Sequence, residues 1–271
     1  MKGHFLLLNV NLKLVMKNLH HLNCLKIVNP INDDVIGHCL LIENEGDLIM
    51  IDVGIGMLDT KNPSERLGDE LIEAAGFMFD EDLTAFKQIK KLGLDPNKVK
   101  HCVISHLDPD HIGALADFPN SKVHVSYEEY ENFKQGNPRY LKWQILNELN
   151  IYTYSKSKKT WFEFEAREVT LGKSFSVFLI PLFGHTIGHC GIAIKYNDTW
   201  LFYIGDAYYL REELYNNLHP VNQLAQLRAD NDSERINTLK RIKNFISKNP
   251  EILVYCYHDR SEFDNLLRHN K

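Results

Sequence analysis

Residues 103–116 read Val-Ile-Ser-His-Leu-Asp-Pro-Asp-His-Ile-Gly-Ala-Leu-Ala, and the rest of the chain is organised around this stretch. With Cys102 it begins as an apolar run, typical of the end of a buried strand, and it ends as a short apolar helix. Between them lie two histidines and two aspartates. Pro109 cannot lie in a central strand or a helix interior, so these polar residues lie on the strand-to-helix turn or in the first helical turn.

The four polar side chains of this turn are His106, Asp108, Asp110 and His111. Imidazole and carboxylate groups are ligands of divalent metals, and a turn at the end of a buried strand can aim several of them at one point. The alternative is that Asp108 or Asp110 only caps the helix and the histidines are incidental. Four candidate ligands so close together favour a metal site.

The pattern His106-x-Asp108-x-Asp110-His111 resembles the HxHxDH signature of the metallo-β-lactamase superfamily, with Asp108 in place of the middle histidine. The other motifs of that superfamily follow its order in this chain: Asp52, Gly184-His185-Thr186-x-Gly188-His189, Gly205-Asp206 and His258-Asp259. The resemblance extends from about residue 20 to about residue 263. It implies an α+β fold, the four-layer αββα sandwich, with a dinuclear metal site along one edge of the sheets.

The resemblance also implies a ligand set for each metal: His106, Asp108 and His185 for the first, and Asp110, His111 and His258 for the second. Asp206 would bridge the two metals, with a water or hydroxide as the other bridge. Asp52 and His189 would lie behind the ligands. A carboxylate in such a position fixes the tautomer and ring angle of a ligand histidine.

Two such metals imply a hydrolase, because a bound metal lowers the pKa of water from 15.7 to about 7 and polarises the attacked carbonyl. Asp110 could ligate, orient the hydroxide and pass a proton to the leaving group. Tyr209 lies three residues after Asp206, the spacing at which acyl-homoserine lactonases of this fold place a tyrosine that reaches the substrate carbonyl. Tyr208 is adjacent, and packing under the loop is an equal alternative for Tyr209. We therefore predict cleavage of an ester, a lactone or a related bond.

Asp108 bears on the identity of the metals, because a carboxylate makes the first site harder and more anionic than three imidazoles would. Zinc is favoured, and iron or manganese also fit. The flavodiiron oxidoreductases of this fold carry an acidic residue here, but no flavodoxin-like domain follows in this sequence, which favours a hydrolase. A phosphodiesterase stays an alternative. A non-catalytic metal-binding protein is less favoured, because every metal position holds a donor.

Composition limits the partners. The formal net charge of −5 gives no basic footprint for nucleic acid, and no run of eighteen apolar residues predicts a membrane span. The five cysteines show no CxxC spacing, so we expect reduced thiols in a cytoplasmic protein. The expected partner is a small-molecule substrate, and a homodimer is left open.

No linker divides the chain, so we predict one domain over residues 20–271 after an N-terminal extension, or an added strand, over residues 1–19. Two apolar runs around Glu45-Gly46 predict a hairpin of residues 35–44 and 47–52. Further strands are predicted at residues 98–104, 122–126, 175–180, 190–195, 199–204 and 252–256, with a turn at Asn197-Asp198. Helices are predicted at residues 82–92, 128–134 and 235–247.

Residues 137–170 are unusually aromatic, with Trp143, Tyr152 and Trp161 among them. Two interpretations stay open. The segment is either a helix and hairpin that pack aromatic rings into the core, or a flap that faces the substrate, because aromatic walls commonly line small-molecule pockets.

Overall fold

The computed structural model describes residues 18–32, 34–145, 149–171, 176–196 and 199–269. Its strands are β1 Leu19–Ile27, β2 Val35–Asn44, β3 Asp47–Ile51, β4 Phe77–Met78, β5 Val99–Val103, β6 Lys122–Ser126, β7 Asn150–Tyr154, β8 Thr160–Trp161, β9 Phe164–Glu165, β10 Arg167–Val169, β11 Ser176–Pro181, β12 Cys190–Tyr196, β13 Thr199–Tyr203 and β14 Leu253–Tyr255. Its α-helices are α1 Met57–Lys61, α2 Pro63–Arg66, α3 Asp69–Ala75, α4 Ala85–Lys91, α5 Pro109–Ile112, α6 Tyr127–Lys134, α7 Val221–Arg228, α8 Asp232–Lys248 and α9 Arg260–His269.

The first sheet has the strand order β4-β1-β2-β3-β5-β6-β7. The predicted hairpin is present: β2 and β3 pair antiparallel around Glu45 at φ 51° and Gly46 at φ 92°, the positive φ values of a tight two-residue turn. From β3 onward the strands run parallel. The carboxyl ends of these parallel strands therefore meet at one edge of the sheet.

The second sheet has the order β10-β11-β12-β13-β14, antiparallel except for the parallel pair β13–β14. Alternate residues of its strands point to opposite faces. Ile192 and Ile194 face the core that both sheets share, whereas Ala193 and Phe202 pack in a second core with Phe245 of α8. Helix α4 covers the first sheet over β1. The layers are thus helix, sheet, sheet and helix, the αββα sandwich that the resemblance implies.

Most predicted elements occur within a residue or two of their expected bounds, but the helix predicted for residues 82–92 begins later. A 3-10 turn occupies Glu81–Leu83, and α4 begins only at Ala85. Thr84 separates them because its Oγ1 accepts a hydrogen bond from Lys87 N at 3.4 Å, which is an N-cap.

The aromatic segment favours the core interpretation. Trp161 and Phe164 are buried and pack on rings of the second core, including Phe202. Trp143 and Tyr152 are about half exposed, at 51% and 45%. None of the segment's aromatic side chains that the structure describes lines the cavity beside the candidate site. The buried rings therefore favour packing in the core over a flap that faces the substrate.

Some expectations concern residues outside the described ranges, namely residues 1–17 and the Asn197-Asp198 turn. The boundary predicted at residue 20 lies inside β1, which begins at Leu19. All five cysteines are buried and free of disulfides. Across the described ranges, we find no helix with the length and apolar character that spanning a bilayer requires.

Candidate metal centre

Polar residues follow the ends of four buried strands and meet at one edge of the sandwich. Asp52 follows β3, His106 follows β5, Asp206 follows β13 and His258 follows β14. Strand ends are where α/β scaffolds gather functional side chains. The remaining candidates lie nearby in sequence: Asp108, Asp110 and His111 at α5, and His185 in the turn after β11.

The first donor group consists of His106, Asp108 and His185, all buried. Asp108 Oδ2 lies 3.5 Å from His106 Nε2 and 3.2 Å from His185 Nε2. The donor atoms of the group lie within 4.8 Å of one another. The residues that the resemblance assigns to the first metal are therefore adjacent.

The second donor group consists of Asp110, His111 and His258. Asp110 Oδ2 lies 3.8 Å from His111 Nε2 and 3.6 Å from His258 Nε2. These donor atoms also lie within 4.8 Å of one another. The residues assigned to the second metal are thus adjacent as well.

Asp206 lies between the two groups. Its Oδ2 is 3.9 Å from His106 Nε2, 3.6 Å from His185 Nε2 and 3.4 Å from His258 Nε2. Its Oδ1 is 3.4 Å from His111 Nε2. The carboxylate therefore faces donors of both groups, and all seven predicted ligands converge.

Unpaired polar atoms show that this cluster fits metal cations. Three buried donor atoms have no hydrogen-bond partner in the described parts of the chain: His106 Nε2, His111 Nε2 and Asp206 Oδ1. Leaving a buried polar atom unpaired costs about 1–3 kcal/mol. Nitrogen and oxygen donors in this number suit two divalent ions with open positions.

The electrostatics of the cluster point the same way. Burial alone would lower the pKa of His111, but the carboxylates of Asp206, Asp110 and Asp52 raise it well above its usual value. Burial likewise favours neutral Asp206, yet His258 and His111 hold its pKa well below its usual range. In the absence of metal, the carboxylates and imidazoles therefore stabilise each other's charged forms, and a bound cation could take the place of the imidazole protons beside the carboxylates.

Asp52 supports the second group from behind. Its Oδ2 lies 2.8 Å from His111 Nδ1 and accepts hydrogen bonds from Ser105 Oγ at 2.6 Å and Tyr203 OH at 2.5 Å. Its Oδ1 accepts from Ser105 N at 2.8 Å. A carboxylate on Nδ1 leaves Nε2 of His111 free to face the centre.

Two further contacts orient the centre. His258 Nδ1 lies 2.9 Å from Ile36 O, so its Nε2 faces the cluster. His189 is not in either donor group: its Nδ1 lies 3.0 Å from Leu182 O, and its Nε2 accepts from Asp206 N at 3.0 Å. His189 therefore lies behind Asp206.

Arg139 is a site residue that sequence reasoning missed. Its Nε and Nη2 donate to Asp108 Oδ1 and Oδ2, each at 2.6 Å, and Nη2 lies 3.2 Å from His185 Nε2. Burial favours neutral Asp108, but Arg139 holds the pKa of that carboxyl well below its usual range. The expectation that Asp108 makes the first group markedly more anionic needs correction, because Arg139 offsets that charge. No local spacing signals a contact across 31 residues.

Glu129 of α6 is the second missed residue. It is fully buried and accepts hydrogen bonds from Leu107 N, Tyr140 OH, Thr186 Oγ1 and Gly188 N, at 2.8, 2.9, 2.5 and 3.2 Å. Burial raises the pKa of Glu129 to about 7, although its donors act in the opposite direction. Position 188 must be glycine, because a Cβ there would lie 2.0 Å from Glu129 N. Glu129 thus joins the two turns that carry the first group.

A cavity of about 420 Å³ opens beside the donor groups. Asp110, Asp206 and His258 line it, together with Tyr209. Its walls are largely aliphatic: Ile27, Ile31, Val35, Leu71, Ala74, Leu210, Val221 and Leu224. Tyr209 OH lies 3.4 Å from His185 Nδ1, whereas Tyr208 is buried and donates to Glu262. Of the two neighbouring tyrosines, Tyr209 is therefore the one that faces the site.

Comparison with known proteins agrees with this architecture. The family described as the metallo-beta-lactamase superfamily matches residues 32–258. A probable metallo-hydrolase of Mycobacterium tuberculosis is 28% identical over 249 residues, which cover 89% of this chain and 79% of that protein. An N-acyl homoserine lactonase of a Bacillus species is 28% identical over 230 residues, which cover 82% and 80%.

A solved structure gives the same result for the fold. An N-acyl homoserine lactone hydrolase, with N-hexanoyl-L-homoserine at its catalytic metal centre, superposes with a TM-score of 0.69. It is 20% identical, and the match covers 92% of this chain and 96% of that one. At this identity the likeness shows the shared fold.

Proposed function

The chain belongs to the metallo-beta-lactamase superfamily, and from this premise we propose that it is a dinuclear-metal hydrolase that cleaves a lactone or a related ester of a small molecule. One observation carries the proposal: six donors form two groups around a seventh, Asp206, beside a cavity with largely aliphatic walls. Hydrolases and lactonases among the relatives support it.

In this proposal His106, Asp108 and His185 would hold one metal, Asp110, His111 and His258 would hold the other, and Asp206 would serve both. Divalent ions bound in this way act as Lewis acids and lower the pKa of water to about 7. The four imidazoles favour zinc, while the carboxylates leave iron or manganese as alternatives.

Asp110 and Tyr209 are the proposed catalytic residues. Asp110 lines the cavity, and its carboxylate is 14% exposed, so it can accept a proton from the attacking water and return it to the leaving alkoxide. Tyr209 lines the same cavity, and its hydroxyl can donate a hydrogen bond to the substrate carbonyl oxygen, where negative charge develops.

The cavity walls support a substrate with an apolar acyl group. The aliphatic side chains can bury such a group and exclude water around the scissile bond. The sequence relatedness to an N-acyl homoserine lactonase makes a lactone the first choice.

A phosphodiester is the second candidate, because one feature of the cavity favours an anionic substrate. Arg228 lines the cavity, and its guanidinium makes no hydrogen bond or ion pair with any described residue. A guanidinium suits phosphate or carboxylate oxygens.

The test combines metal analysis with substrate screening. We expect two transition-metal ions per chain after growth with zinc, iron and manganese, and turnover of lactones ahead of thioesters and phosphodiesters. Chelator-treated protein is the control and should be inactive until metal is restored. One ion or none per chain would overturn the dinuclear proposal, and phosphodiester turnover alone would select the second candidate.

A further inference from the structure

We propose that the Asp108–Arg139 ion pair takes the place of the neutral middle histidine of the HxHxDH pattern, and that Arg139 is the positioning residue for the first metal. The inference rests on the proposed dinuclear function. It concerns how this chain tolerates a carboxylate where the superfamily pattern has an imidazole.

Asp108 keeps capacity to bind a cation beside its contact with Arg139. Arg139 binds both oxygens of Asp108 through the Nε–Nη2 edge of its guanidinium, at 2.6 Å each. A carboxylate has about four lone-pair sites, so this contact leaves roughly one free on each oxygen. Asp108 Oδ2 faces His106 and His185 at 3.5 and 3.2 Å, so its remaining lone pair lies in the first donor group.

The guanidinium is held in place by contacts other than Asp108. Arg139 Nη1 donates to His185 O at 2.9 Å and to Asp230 Oδ1 at 2.8 Å. Asp230 is itself positioned by Asn132 Nδ2 and Ile187 N, at 3.1 and 3.2 Å. The Arg139 side chain is only 8% exposed. It is therefore a built part of the first group and not a surface side chain that happens to reach Asp108.

The charges explain why the pair can replace an imidazole. Arginine stays protonated in proteins, so Arg139 and Asp108 together add no net charge to the first group. A neutral histidine at position 108 would also add none. If Asp108 is replaced and Arg139 is kept, however, the guanidinium loses one of its two carboxylate partners, keeps only Asp230, and stays 3.2 Å from His185 Nε2, a proposed donor of the first metal. That charge would oppose a cation there.

The experiment compares four proteins: the parent, Asp108→His, Arg139→Gln and the double variant. Zinc content and zinc affinity are measured by elemental analysis and by competition with a chromophoric chelator. We expect Asp108→His, which exchanges a proposed ligand, to weaken the first zinc by no less than the roughly 10–100-fold that altering the partner of a ligand costs, and to leave close to one ion per chain. Adding Arg139→Gln to it should restore two ions.

The single Arg139→Gln variant should keep two ions per chain. In protein purified from cells grown with zinc, iron and manganese, its metal content should shift from zinc toward iron or manganese. The opposite effects of one substitution in two backgrounds distinguish charge compensation from a general structural role. Arg139→Lys tests the bidentate geometry, because it keeps the charge but not the two parallel bonds.

A matched control is Arg66→Gln. Arg66 donates to buried Asp59 at 2.8 Å, an arginine–aspartate pair outside both donor groups, so its loss should leave metal content unchanged. The inference is overturned if Asp108→His alone keeps two zinc ions at parental affinity, or if Arg139→Gln lowers metal content equally in both backgrounds. A parent protein with fewer than two ions would instead overturn the proposed function.

Discussion

Asp52 and Glu129 are two fully buried carboxylates that support the two donor groups in different ways. Each is surrounded by four hydrogen-bonding partners. Asp52 contacts the ring of the donor His111 itself. Glu129 makes no hydrogen bond to the side chain of a proposed metal ligand. Instead it accepts hydrogen bonds from backbone N–H groups of the turns that carry the first group and from the hydroxyls of Thr186 and Tyr140.

Asp52 therefore orients one ring of the second group directly, whereas Glu129 fixes the turns that carry the first group. Glu129 makes no hydrogen bond to Asp108, so the carboxylate of Asp108 depends on Arg139 for its orientation. Asp110 in the second group has ion-pair partners among the histidines and, within the described chain, no arginine. Four substitutions sharpen or break this comparison.

Asp110→Asn should have the largest effect. We expect turnover to fall by about 10²–10⁴-fold, the usual contribution of a general acid–base group. Metal content must be measured alongside activity, since Asp110 is also a proposed ligand. Parental turnover at full metal occupancy would exclude a catalytic role for this carboxylate.

Asp52→Asn should weaken the second metal by about 10–100-fold, as expected when the partner of a ligand histidine is altered. Asparagine tolerates the left-handed φ of 47° at this position, so the backbone should stay in place. Titration with a competing chelator measures the change. Asp59→Asn is the control, because Asp59 is equally buried but pairs with Arg66 and not with a proposed metal ligand. An unchanged zinc affinity would show that His111 needs no carboxylate behind it.

Glu129→Gln should lower the free energy of unfolding by about 1–3 kcal/mol, because the new amide NH₂ would face hydrogen-bond donors. Two metal ions per chain should remain. Denaturant unfolding of metal-loaded protein gives the measurement. Loss of the first metal without loss of stability would mean that Glu129 supports the ligands and not the loops.

The same residue gives a pH dependence. The pKa of Glu129 is raised to about 7 from an ordinary value of 4.5, so the folded state binds the proton more tightly than the unfolded state. Its contribution to stability is present below about pH 4.5 and is lost as the pH rises through 7. In Glu129→Gln this dependence of the free energy of unfolding on pH between about 4.5 and 7 should disappear, which denaturant unfolding at a series of pH values measures.

Tyr209→Phe should have the smallest effect, a loss of about 1 kcal/mol in lactone turnover, or about fivefold, as for one hydrogen bond. Tyr208→Phe is a close control, since that hydroxyl binds Glu262 away from the cavity. Equal turnover in the parent and Tyr209→Phe would show that the Tyr209 ring only packs beside the first group.

The sequence predicted the parts of the site that a pattern can carry. Asp52 and Asp206 lie at the ends of apolar strands, and His106 and Asp110 belong to a dense motif, so residue type and position together mark them as candidate site residues. The fold followed from the order of those motifs along the chain.

What sequence reasoning missed depends on contacts between distant loops. Arg139 follows a Gly-Asn-Pro turn, and Glu129 lies on a helix beside another glutamate, so neither stands out from its neighbours. The interpretation of Asp108 failed for the same reason: the charge that a carboxylate brings depends on its partner, and that partner is 31 residues away. The extension over residues 1–19 stays a prediction.

The parallel pairing of β13 with β14 has a consequence for folding kinetics. The two strands are separated by about fifty residues that include α7 and α8, and β14 leads to His258. Closing such a long connection has an entropic cost, so this pairing should form late on the folding pathway. The second donor group is then complete only after the transition state. Interactions that form after the transition state change the unfolding rate and not the folding rate. Bound metal should therefore lengthen the lifetime of the folded protein while barely accelerating its formation.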